Sequence, residues 1–153
     1  MLSELLNENT VAVNVKAADW REAVVAGGKL LLQDGSVEER YIDAMIEAVN
    51  EFGPYIVIEK GIALSHARPE EGVIKNGLAL SVLKTPVCFG NEANDPVKLV
   101  ISLSALDGET HLELIGELAE LIMSDETMDR IFQCTDKQEL LKLVSALNRP
   151  EQY

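Results

Sequence analysis

Polar and apolar positions along this chain mark where helices begin. Several polar residues are followed three positions later by a glutamate that can reach back to the first residue's amide, the reciprocal cap that opens a helix. Asp19 with Glu22 predicts a helix carrying Trp20, Ala23, Val24, Leu30 and Leu31, with Gly35 just past its end. Ser36 with Glu39 predicts the next, on which Tyr41, Met45, Val49 and Phe52 recur every three or four positions until Gly53-Pro54 stops it. Thr110 with Glu113 predicts a third, with Leu112, Ile115, Leu118 and Ile122 on one side. Asp136 with Glu139 predicts the last, burying Leu140, Leu143, Val144 and Leu147, and a shorter helix is expected over Asp125 to Phe132.

Short apolar runs with strand character lie between these helices: Val11 to Val15, Tyr55 to Ile58, Ile62 to Leu64, Leu78 to Leu83 and Leu99 to Leu103. Most are apolar on both faces, as in a sheet covered by helices on each side, and some follow one another after short connections. The expected fold is α/β: a layered domain with a mixed central β-sheet flanked by helices on both faces. No repeat, low-complexity stretch or linker divides residues 1–153, so a single domain is expected.

Composition agrees and removes several functions. The 153 residues are 47% hydrophobic, enough for a core without a disulfide or metal staple. Twenty-six acidic against 13 basic side chains leave a net charge of −13, which repels nucleic acid and anionic lipid and suits a basic protein partner. Met1 to Thr10 carries Glu4 and Glu8 and no Lys or Arg, so it reads as neither signal nor transit peptide. No apolar run reaches the roughly 18 residues of a membrane helix. Cys88 and Cys134 are isolated, and the expectation is a cytoplasmic protein with reduced thiols, Cys88 being an inert core residue.

Whole reaction classes are absent. Gly72 and Gly77 have Walker A separation, but Leu78 and Ala79 follow where Lys and Ser or Thr are required. There is no G-x-G-x-x-G and no H-E-x-x-H, so neither a nucleotide cofactor nor a metal is expected. Two histidines remain. His66 ends the run Gly-Ile-Ala-Leu-Ser-His-Ala-Arg-Pro, at a strand end leading into a turn, where a sheet can hold a side chain that a loop exposes. Local sequence fits a turn imidazole bonded to a nearby carbonyl as well. His111 follows the expected cap Thr110, placing it at the first position of a helix, where an anion is favoured and a neutral imidazole can donate to a phosphate oxygen. It also fits a plain surface position. Arg68 could grip phosphate oxygens through two parallel hydrogen bonds or simply be solvated. Ser65, if extended, points away from His66, which disfavours a Ser-His nucleophile pair but still allows a hydrogen bond to a group carried on the histidine.

From Gly61 to Val73 the chain resembles the enzyme IIA domain of the bacterial sugar phosphotransferase system, in the mannitol/fructose class and most closely its ascorbate-type branch. The similarity runs from about Leu5 to Leu147 and includes Asn94 to Ile101 and Asp107 to Ile115. It implies a phosphoryl carrier: the histidine-containing phosphocarrier protein donates to His66, which passes the group to a cysteine of enzyme IIB for sugar uptake. His111 matches the second histidine that supports the phosphoryl group, and Ser65 and Thr110 are candidate phosphate contacts with Arg68. Mannitol and fructose members carry an arginine near the end of the helix before the strand, whereas this chain has Glu47-Ala48-Val49-Asn50 there. Arg68 is the candidate to replace it. The alternative is a regulatory relay of the nitrogen-branch type, in which phosphorylation of the same histidine alters binding to another protein. A plain binding module with incidental histidines is the third possibility.

Overall fold

The computed structural model describes residues 2–147. Its elements are α1 (Leu2–Leu5), β1 (Val11–Val15), α2 (Trp20–Gln33), α3 (Arg40–Phe52), β2 (Val57–Glu59), β3 (Ile62–Ser65), a 3₁₀ turn (Pro69–Glu71), β4 (Gly77–Val87), β5 (Val97–Ser104), α4 (Gly108–Ile122), α5 (Asp125–Phe132) and α6 (Lys137–Leu147). The five strands form one mixed sheet in the order β1-β4-β5-β3-β2. β1 runs parallel to β4 and β3 parallel to β5, while the β4–β5 and β2–β3 pairs are antiparallel. The expected α/β layering with helices on both faces is what the chain adopts.

Alternation along the central strands sorts large from small side chains. Ile62, Leu64, Leu78, Leu80, Leu99, Ile101 and Leu103 face the helices α1, α4, α5 and α6 and form the larger core. Most of the intervening positions, Ala63, Ser65, Ala79, Ser81, Ser102 and Ser104, are small and fully buried on the side of α2 and α3, with Val100 the larger exception. Small side chains there let the α2 backbone come close. At Gly27 a Cβ would collide with the Ser102 hydroxyl, so glycine is required by the approach. α3 packs beside α2 and crosses the ends of β3 and β5, which is the edge where the site forms.

Most elements lie where the patterning puts them, with informative exceptions. Asp19 caps α2, its carboxylate accepting the Glu22 amide at 2.9 Å, and α5 has the expected bounds. α3 does not open on Ser36: it starts at Arg40 without a side-chain cap, and Ser36 is buried with its hydroxyl donating to Asp34. α4 does not open on Thr110 either. Its cap is Asp107, whose Oδ1 accepts the Thr110 amide at 2.7 Å. Phe52, expected in the core, is 62% exposed at the last residue of α3, edge-on to Tyr55. Cys88 is exposed as well, since it stands between Val87 and Phe89, which turn their side chains into the core and leave the residue between them facing outward. The β2 strand begins two residues later than expected, β4 runs on to Val87, and α1 had no cap or periodicity to announce it. On α6, Leu140 and Val144 are buried as expected; the side chain of Leu147 lies outside the described residues. No described helix is long and apolar enough to cross a membrane.

Candidate functional site

β3 and β5 stay paired as far as Ser65 and Ser102, then diverge. A cavity of about 720 Å³ opens where they part, between the outer face of α3, the loop after β3 and the start of α4. His66, the first residue beyond β3, lines it, and so does His111 on α4. The two rings lie with centroids 5.1 Å apart and planes inclined by 48°. A strand end and a helix distant in sequence therefore deliver their imidazoles to one place.

His66 is half-buried. Its Nδ1 is buried and makes no hydrogen bond, although the Leu64 carbonyl is near enough to favour the protonated ring. Nε2 is left as the nitrogen on the cavity side. Burial, and secondly the adjacent His111, holds the imidazole below its usual 6.5. The ring is thus kept neutral with a free lone pair under conditions where an exposed histidine would be partly charged.

His111 is the fourth residue of α4 rather than its first, because the cap is Asp107. Its own amide is bonded to the Asp107 carbonyl at 3.1 Å, so it brings a side chain to the site and no free amide. One turn earlier, Gly108 lines the cavity at the helix start, where amides lack an intrahelical acceptor. The Thr110 amide and hydroxyl hold the Asp107 carboxyl below the usual carboxylate range. Thr110 is thereby committed to Asp107 and does not line the cavity, contrary to its expected place as a phosphate contact. Ser65 is likewise turned away: it is buried on the α3 side with its hydroxyl on the Met45 sulfur at 3.2 Å, because neighbouring strand residues point to opposite faces.

Two cations line the cavity, Arg40 and Arg68. Arg40 is occupied, paired with Glu38 at 2.6 Å and donating to the Glu70 carbonyl at 3.0 Å. Arg68 is exposed on the loop after His66, and among the described residues its guanidinium has no hydrogen bond or ion pair. Opposite it, α3 presents Asp43, Glu47 and Glu51, one turn apart, so this wall is acidic.

A residue that sequence reasoning assigned only to the core completes the site. Tyr41 is fully buried on α3, and its hydroxyl accepts the Ala67 amide at 2.8 Å and donates to the Leu103 carbonyl at 2.7 Å. A tyrosine on an apolar helix face could have been flagged, since a buried phenol requires a partner. Among the described residues no group of three or more His, Cys, Asp or Glu is arranged to hold a metal.

Comparison with known proteins gives a consistent picture. Residues 4–146 match the family described as phosphoenolpyruvate-dependent sugar phosphotransferase system, EIIA 2. The chain is 41% identical over 149 residues to the ascorbate-specific PTS system EIIA component of Escherichia coli K12, covering 96% of this chain and 97% of that protein. It superimposes on the solution structure of the mannitol-specific cryptic phosphotransferase enzyme IIA CmtB of Escherichia coli with a TM-score of 0.86, at 34% identity, over 95% of this chain and 98% of the other. A second structural neighbour is the enzyme IIA of the Escherichia coli mannitol system in complex with phosphorylated enzyme IIB, with a TM-score of 0.81, 27% identity, and 92% and 97% of the two chains covered.

Proposed function

This chain belongs to the EIIA 2 family of the phosphoenolpyruvate-dependent sugar phosphotransferase system, and from that premise we propose that it is a phosphoryl carrier acting through His66. The observation that carries the reading is the placement of His66: a half-buried ring held neutral, its Nδ1 buried beside the Leu64 carbonyl and its other nitrogen facing a cavity shared with His111. With the proton on Nδ1, the Nε2 lone pair attacks phosphorus. The P–N bond of the phosphorylated histidine on the donor, the histidine-containing phosphocarrier protein, breaks as the P–Nε2 bond forms. In the second transfer that bond breaks and a P–S bond forms on the cysteine of enzyme IIB. Neither step needs a cofactor or metal, because a loose in-line transition state asks mainly for positioning and charge stabilisation.

His111 is placed to hydrogen-bond the transferring oxygens, Gly108 offers a helix-start amide, and the uncommitted Arg68 supplies positive charge. Thr110 and Ser65 take no direct part, since their hydroxyls are engaged elsewhere. The acidic wall of α3 opposes a resting dianion in the cavity, so the phosphoryl group is held briefly and handed on readily. We read the whole chain as one cytoplasmic domain of this kind, and similarity to ascorbate-specific EIIA components makes ascorbate the sugar to test first.

Incubation with phosphoenolpyruvate, enzyme I and the phosphocarrier protein should place one acid-labile phosphoryl group on the chain, and His66→Ala should abolish it. Label persisting in that variant would move the site elsewhere. Loss of ascorbate uptake in a deletion strain tests the sugar assignment.

A further inference from the structure

Beyond the last rung of the sheet, one hydroxyl bonds both of the segments that lead to the two histidines. β3 and β5 pair up to Ser65 and Ser102, and beyond that point the strands splay to open the cavity. Splaying strips two backbone groups of their ladder partners: the amide of Ala67, next to His66, and the carbonyl of Leu103, on the strand that leads through Ala105 into α4. The Tyr41 hydroxyl fills the gap, accepting from the first at 2.8 Å and donating to the second at 2.7 Å, with the Ala67 carbonyl also within 3.2 Å. It stands where the next rung of the sheet would otherwise join the strands. No other side chain among the described residues hydrogen-bonds both segments.

We infer that Tyr41 is a positioning residue for phosphoryl transfer, its hydroxyl setting the His66 ring against the His111 ring. The inference rests on the phosphocarrier reading of His66. Two paths run from that hydroxyl, one through Ala67 to His66 and the other through Leu103 to the turn before His111. Loss of the hydroxyl leaves a buried donor and a buried acceptor without partners, and the cheapest way to satisfy them is to admit water by opening the loop. Opening separates the rings.

Tyr41→Phe isolates this effect, because the ring still fills its place in the core and no charge changes near neutrality. Burial already pushes the Tyr41 phenol up to about 12. The titratable and charged groups that line the cavity with His66, namely His111 and Asp107 at the α4 start, Arg68 and Glu71 on the loop, Arg40, Asp43, Glu47 and Glu51 on α3, and Tyr55 beyond it, all remain. A changed His66 titration in the variant therefore reports geometry.

Three measurements test the inference. In wild-type protein the Ala67 amide should exchange with solvent as slowly as the amides of β5; fast exchange would overturn the proposal even if the variant failed to fold. In folded Tyr41→Phe, NMR titration should show the His66 pKa rising towards its usual value as burial and the influence of His111 both weaken, and transfer to enzyme IIB should slow on the order of tenfold. Val144→Ala, a buried change on α6 with the hydroxyl intact, should lower thermal stability and leave the His66 titration where it is. A Tyr41→Phe protein that loses stability like Val144→Ala, with unchanged titration and transfer, reduces Tyr41 to packing while leaving the phosphocarrier reading intact. A wild-type chain that accepts no phosphoryl group removes that reading and this inference with it, whatever the titration shows.

Discussion

The two imidazoles of the site reach it by different routes, one from the end of a strand and one from the first turns of a helix. His66 leaves β3 one residue after a buried, fully paired rung, so its backbone is fixed by the sheet and its Nδ1 is buried. His111 rides on α4, whose start depends on an exposed cap at Asp107 and on the connection from β5. A sheet fixes a side chain through neighbours on both sides, whereas a helix start fixes it through its cap and one packed face. In the proposed mechanism this puts the nucleophile on the element held from both sides and the supporting group on one fixed by its cap and a single packed face.

That division of labour predicts unequal consequences. His66→Ala removes the only nitrogen proposed to bond phosphorus and should abolish labelling altogether. His111→Ala should still be labelled, with transfer to enzyme IIB slowed about a hundredfold, the scale of losing one oxyanion donor, or with faster spontaneous loss of label. Quench-flow transfer and the half-life of the phosphorylated protein measure the two; no change in either would take His111 out of the mechanism. Arg68→Ala should cost about tenfold in transfer, as expected for one charge-assisted hydrogen bond at an exposed position.

The smallest effect concerns pH. Burial and the neighbouring His111 lower the His66 pKa from 6.5, so between the folded and unfolded values the unfolded chain binds more protons. The resulting stability is fully present above 6.5 and is lost as pH falls from there through the folded value. Urea midpoints taken from pH 7.5 downwards should therefore decline more steeply for wild type than for His66→Gln. Parallel declines would mean that the ring is no better solvated after unfolding than before.

The order of helices and strands was legible because its causes are local. Asp19 satisfies an amide three residues away, and the apolar spacing on α2, α3 and α6 matches one face of a helix whatever lies beneath it. The misreadings arose where two local solutions competed. Asp107 and Thr110 each stand three residues before a possible partner, and the Asp107 carboxylate takes the Thr110 amide, which puts Thr110 inside the first turn. Ser36 offers a cap to α3 yet is drawn into the core, its hydroxyl on Asp34 and its carbonyl accepting the amides of Ile74 and Lys75. Phe52 continues the apolar pattern of α3 past the point where another layer covers it, and Cys88 faces outward between the buried Val87 and Phe89.

By itself the sequence determined the layered α/β architecture, a strand ending in Ser65-His66 and a helix carrying His111, since capping and hydrophobic periodicity act within a few residues. Only the tertiary structure decided that these two rings meet 5.1 Å apart, that Ser65 turns to Met45, that Thr110 serves Asp107, and that Tyr41 bridges Ala67 and Leu103. Those relations join segments brought together by the parallel register of β3 on β5 and the close seating of α2 and α3 on a sheet face of small side chains. Contacts between distant segments follow from how whole elements pack, and no short stretch of chain holds that information.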